Sequence, residues 1–196
     1  MGLTIFYSGR FNPESSLSEM IEEVKDICEV QKWKYKIFNR EFPALPFPNK
    51  YDGQIYGICY TPPECETVKL EFLSNGRMSC SALLHMWGSS ENKDHKKFIY
   101  SPWTKTQFAG YEVHALIVEI FRYVSKKYLL DFKMTDEGHY WETNDLEVLK
   151  ERFSLYEGLL DNFCLGLQSM PVKKGENMEE YLIRVMEEVQ KMRKKE

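Results

Sequence analysis

The feature that most constrains this chain is a change of hydrophobic period part-way along it. Short apolar runs and alternating stretches, broken by prolines, dominate the first half, whereas from Ala109 onward apolar residues return every three or four positions. Strands regularly interleaved with helices would build a parallel sheet. Strands gathered early and helices gathered late predict an α+β fold, with a largely antiparallel sheet covered on one face by amphipathic helices.

Local signals fill in this frame. Leu3 to Tyr7 reads as a short strand, and Asn12-Pro13 announces a helix with Ser16 and Glu19 at capping-box spacing. Leu17, Met20, Ile21, Val24, Ile27 and Cys28 give that helix one buried stripe, with Glu22, Glu23 and Lys25 on the solvent side. Trp33, Tyr35 and Ile37 alternate with lysines as a half-buried strand, and prolines 43, 46 and 48 then enforce a loop. Gln54 to Tyr60 is a further strand. Val68–Phe72 and Met78–Met86 read as a hairpin about Ser74-Asn75-Gly76-Arg77, because Asn-Gly supplies the two positive φ angles of a type I′ turn. Gly88 to Lys97 is polar and expected to be a mobile loop, with one more strand over Lys97 to Trp103.

The second half predicts a central helix from about Ala109 to Lys127, a strand near Asp131 to Thr135 and a turn around Gly138. Asn144 and Glu147 have capping-box spacing. Leu146, Leu149, Phe153, Tyr156, Leu160, Phe163 and Leu167 then form a heptad-like seam, which Pro171 and Gly175 interrupt. A last helix sets Met178, Tyr181, Leu182, Val185, Met186 and Val189 on one face, with glutamates early and lysines late, as the helix dipole favours. The expected organisation is one α+β domain over 1–170 and a C-terminal helix over 171–196, packed on the domain or on a partner, a second copy included.

Composition narrows the function classes. With 196 residues and 43% hydrophobic content the chain suits a single packed core. A net charge of −4 offers no basic stripe for nucleic acid, and His95-Lys96-Lys97, Lys173-Lys174 and Lys191 to Lys195 are separate solvated runs. Mild acidity favours a basic partner. The five cysteines, Cys28, Cys59, Cys65, Cys80 and Cys164, include no CxxC pair and are odd in number, so the simplest setting is reducing and cytoplasmic, without a disulfide framework or zinc knuckle. No stretch of about 18 apolar residues and no signal-peptide pattern occurs, so no membrane association is expected. Gly2 suggests myristoylation, but Phe6 stands where that signal needs Ser or Thr.

Chemistry-bearing side chains concentrate between Thr104 and Asp145. On a helical wheel of about 100° per residue, Glu112, Glu119, Arg122 and Lys126 share one side of the central helix, while His114 falls with Val118 and Phe121 and is directed inward. His114 reads either as a general base or ligand, because imidazole titrates near neutrality, or as a core histidine satisfied by hydrogen bonds. The turn Asp136-Glu137-Gly138-His139-Tyr140-Trp141-Glu142 places three carboxylates and an imidazole at a strand exit. Candidate catalytic residues are therefore His114, Asp136 and Glu137. Candidate ligands for a divalent metal are Glu66, His114, Asp136, Glu137 and Glu142. The competing reading is an aromatic-rich turn whose acids cap neighbouring backbone. No HExxH, EF-hand, P-loop, GxGxxG or GxSxG pattern occurs, so no organic cofactor is expected. Lys105-Thr106-Gln107 precedes the central helix, where an anion or a plain N-cap by Thr104 or Thr106 would sit.

Lys32-Trp33-Lys34-Tyr35, Gly57-Ile58, Pro63-Glu64-Cys65-Glu66, Lys105-Thr106-Gln107-Phe108-Ala109 with Glu112 and His114, and Asp136-Glu137-Gly138 with Tyr140-Trp141-Glu142-Thr143 together resemble an uncharacterised bacterial protein family. The resemblance covers most of residues 30 to 150, implies a bacterial cytoplasmic protein and brings no activity with it. The leading expectation is action through protein–protein contacts, as a dimer or as an immunity-like acidic partner of another protein. The alternative is a metal-dependent hydrolase built on the His, Asp and Glu candidates.

Overall fold

The structure, a computed structural model, describes residues 2–193. Its elements run β1 (Thr4–Phe11), α1 (Leu17–Val30), β2 (Lys34–Ile37), β3 (Tyr56–Thr61), β4 (Val68–Phe72), α2 (Ser81–Trp87), α3 (Lys93–Phe98), β5 (Trp103–Lys105), α4 (Gly110–Tyr128), β6 (Leu129–Asp136), α5 (Tyr140–Thr143), α6 (Leu146–Ser169) and α7 (Met178–Arg193). The α+β class holds. The strands form two three-stranded sheets, ordered β5-β1-β6 and β2-β3-β4, and every pairing within them is antiparallel. Two compact units emerge, Met1–Lys150 and Glu151–Glu196, so the division falls within α6, where the sequence suggested 170/171.

In the first unit, α1 and α4 bury the stripes that their periodicity implies. Leu17, Met20, Ile21, Val24 and Cys28 of α1 meet Ile117, Val118, Phe121 and Val124 of α4 and the inner faces of β1, β3 and β4 in one core. Phe121 lies 4.5 Å from Tyr7 and stacks on Phe132 at 5.8 Å, centroid to centroid. The Ser16 hydroxyl accepts the Glu19 amide at 3.2 Å, the expected N-cap of α1. A carboxylate hub ties α1 to the end of α4: Glu23 accepts Tyr123 Oη, Tyr128 Oη and Lys127 Nζ.

Five local expectations are corrected. The Asn-Gly turn is not type I′. Gly76 has φ 75°, Asn75 is not in the left-handed region, and the bonds Gly76 N to Leu73 O (2.8 Å) and Leu73 N to Arg77 O (3.0 Å) describe a type I turn closed by a glycine bulge. The hairpin's second arm shrinks to the bridge Phe72↔Met78, and Ser81–Trp87 is helical. The reason is a long-range cap: Glu71 Oε2, from β4, accepts the Ser81 amide at 3.3 Å. The polar stretch after Gly88 contains α3, capped by Asn92 on the Asp94 amide, and the strand foreseen over Lys97 to Trp103 begins only at Trp103. At the start of α6 the cap is Asp145, whose Oδ1 accepts Glu147 N at 2.9 Å, because Asn144 is occupied as the left-handed end of α5.

Burial pushes the Glu71 carboxyl upward, and amide, thiol and lysine neighbours only partly offset it. An acid with a raised folded pKa costs stability above its unfolded value of 4.5 and costs none well below it. Glu71→Gln keeps the acceptor on Ser81 and removes the buried charge. The variant is expected to be more stable at pH 7 by on the order of 1 kcal/mol, with the gain vanishing near pH 4, as read from denaturant melts.

In the second unit, Tyr181 and Val185 of α7 pack against Phe163, Leu167 and Met170. The Asn177 side chain accepts the Glu180 amide at 2.9 Å while Glu180 accepts the Asn177 amide at 3.1 Å, a reciprocal capping box. Arg184 clasps Glu176 through Nε and Nη2. The side chains of Leu160 and Val189 and the end of the Lys191 to Lys195 run lie outside the described residues.

Candidate functional site

The inward direction of His114 is realised. Its ring is fully buried, with Nδ1 2.7 Å from Thr106 Oγ1 and Nε2 3.0 Å from Asp136 Oδ1. The Thr106 hydroxyl reaches Leu3 O at 3.2 Å as well, which ties the ring to the residue just before β1. Asp136, the last residue of β6, is also fully buried and collects backbone donors from the turn that follows. Oδ1 accepts Gly138 N at 2.7 Å, and Oδ2 accepts Tyr140 N at 2.9 Å and Trp141 N at 3.0 Å. Burial alone would raise this carboxyl. The His114 hydrogen bond and charge, with the Trp141 and Gly138 amides, outweigh burial and hold it below its ordinary 3.8.

The other candidates do not join this pair as a reaction centre. Glu137 Oε2 accepts Thr4 N at 2.9 Å, Glu142 Oε1 accepts Asp136 N at 3.3 Å, and Glu66 Oε2 accepts Lys105 N at 3.0 Å. Each carboxylate is thus turned onto a backbone amide. Among the described residues no three His, Cys, Asp or Glu side chains gather as a metal site would need. Neither threonine caps α4: Thr104 Oγ1 pairs with Tyr7 Oη at 3.1 Å, Thr106 with His114, and the N-cap position is Ala109. The sequence suggested Thr106 for an anion site or a cap, and not as the third member of the cluster.

Gly138 shows how tightly the cluster is closed. A Cβ there would stand 2.6 Å from Leu149 Cδ1 and 2.9 Å from His114 Nε2. Gly138→Ala is expected to cost roughly 1–3 kcal/mol, measurable as a lowered midpoint in urea.

Three of the thiols, those of Cys28, Cys59 and Cys65, are equally unsuited to attack. Burial pushes Cys59 and Cys65 up to about 12 and raises Cys28 to about 11, far from a thiolate at neutral pH. Comparison with protein-family models, curated proteins and solved structures finds no match to the chain. Among the described residues no helix is long and apolar enough to cross a membrane.

Proposed function

We propose that the protein acts through protein contacts, and that the contact is made with a second copy of this chain through α7. One observation carries the reading: the apolar face of α7 is only half used. Tyr181 and Val185 are buried within their unit, whereas Met178, Leu182 and Met186, spaced four residues apart on the adjoining arc, stay exposed with Ile183 beside them. Uncovered apolar stripes of this kind mark interaction surfaces.

The charge pattern favours a second copy. Glu179 and Glu180 open the helix, Lys191 and Arg193 belong to its last turn in sequence, and Lys194 and Lys195 come after it. Two antiparallel copies set the acidic start of each against the basic end of the other, a self-complementary arrangement of the kind a two-fold dimer requires. The closed His114–Asp136 cluster leaves no exposed group there to compete for a catalytic reading.

Sedimentation velocity over a range of protein concentrations tests this. The unmodified chain should associate to a dimer, and Leu182→Glu with Met186→Glu should weaken that association at least ~100-fold, since each buried apolar side chain contributes about 1.5–3 kcal/mol. A chain that remains monomeric throughout contradicts the proposal, as does a dimer indifferent to the double substitution.

A further inference from the structure

A second feature belongs to neither α7 nor the His114 cluster. Arg10, near the end of β1, forms an antiparallel bridge with Arg77, which follows the glycine-bulge turn. Two backbone bonds hold the turn on β1, Phe11 N to Gly76 O at 2.7 Å and Met78 N to Gly9 O at 3.0 Å. The β1–β6 register shifts between Ser8 and Arg10, and Lys133 pairs with Ser8 at that irregularity. Bulges re-aim side chains and gather at functional sites. Here two irregularities bring the residues Arg10, Arg77 and Lys133 to the lining of one recess.

All three line a recess of about 240 Å³, and a second of about 160 Å³ shares its Arg10, Arg77 and Tyr100. The Arg77 guanidinium carbon sits over the Tyr100 ring, 3.4 Å from its centroid, and Asn75 Nδ2 donates to Tyr100 Oη at 3.2 Å. Stacking orients the planar fork while leaving its edge N–H groups available. Among the described residues, none of the three cations is ion-paired, and Asp131, the carboxylate lining the larger recess, bridges to none of them. The three cations are solvent-exposed, and like charges lining one concave place sum to a local positive potential, even on a chain of net charge −4.

We propose that this cleft is an oxyanion site that takes a phosphate group, free or as a small monoester. Two arginines can offer paired N–H donors to a tetrahedral anion, the geometry in which Arg–phosphate contacts are strongest. The recesses are smaller than the roughly 300–1,000 Å³ typical of drug-sized ligands, which suits a phosphate with little attached to it. The site stands independently of association through α7.

Calorimetric titration of the full chain with inorganic phosphate tests it, at ionic strength held constant with chloride so that screening does not vary. Saturable binding is expected in the millimolar range, with at least ~10-fold loss in the Arg10→Gln, Arg77→Gln double variant and an unchanged melting temperature. Arg77→Lys keeps the charge and loses the stacked fork, so it should also weaken binding several-fold. Phenyl phosphate as a second titrant separates the two sources: tighter binding than phosphate assigns a monoester, and weaker binding assigns the free ion. No saturable heat up to about 20 mM phosphate overturns the site. Binding that survives the double variant, or that Arg77→Lys leaves intact, overturns it too.

Discussion

Replacing Asp136 by Ala is expected to unfold the first unit at a temperature lower by roughly 10 °C or more, the largest single effect we foresee. The substitution strands the buried His114 ring and releases the amides of Gly138, Tyr140 and Trp141 at once. Each buried donor left without its acceptor costs about 1–3 kcal/mol, because the medium around it solvates it poorly. The pH dependence has a definite sign. The folded carboxyl is held below its unfolded 3.8, so its contribution is fully present above that value and is lost as pH falls through the lower folded value. Acid melts of the unmodified chain should therefore steepen below about pH 4, and Asp136→Asn should flatten that limb while lowering stability at pH 7.

Phe121→Ala should cost about 3–5 kcal/mol in urea unfolding, nearly as much and for a different reason. Phe121 is fully buried where α4 crosses β1 and β6, packed between Tyr7 and Phe132. Truncation opens a cavity lined by two rings whose backbones are fixed in paired strands, so the surroundings can collapse only in part. Phe121→Leu, which keeps most of the volume, should recover more than half of the loss. Equal losses in both variants would show that ring contacts, rather than filled space, govern this site.

What the sequence discloses depends on how local each cause is. The α1 stripe and its Ser16 cap lie within one stretch of chain and are readable there. His114 is legible as inward-facing because helical phase alone sets its direction, but its partner is not: Asp136 meets it only once β6 pairs with β1 and returns the chain beside α4. Misreadings share that pattern. Met78 to Met86 has the apolar content of a strand, yet a carboxylate from β4 captures Ser81 and starts a helix. Asn75-Gly76 signals a hairpin correctly, but docking of Gly76 O on Phe11 N accompanies a bulged turn in place of type I′. The basic cleft leaves no trace in sequence, since Arg10, Arg77, Tyr100 and Lys133 come from separate segments and only the fold assembles them.

These observations recast the stretch from Thr104 to Asp145. Its histidine and acids are turned inward onto one another and onto backbone amides, so they act as a lock between β1, α4 and the turn after β6. A double-mutant cycle on His114 and Asp136, read as unfolding free energy at pH 7, tests that claim most directly. Strong coupling is expected, about 1–3 kcal/mol, with His114→Leu, Asp136→Asn little less stable than the worse single variant. Two single losses that simply add in the double variant would contradict it.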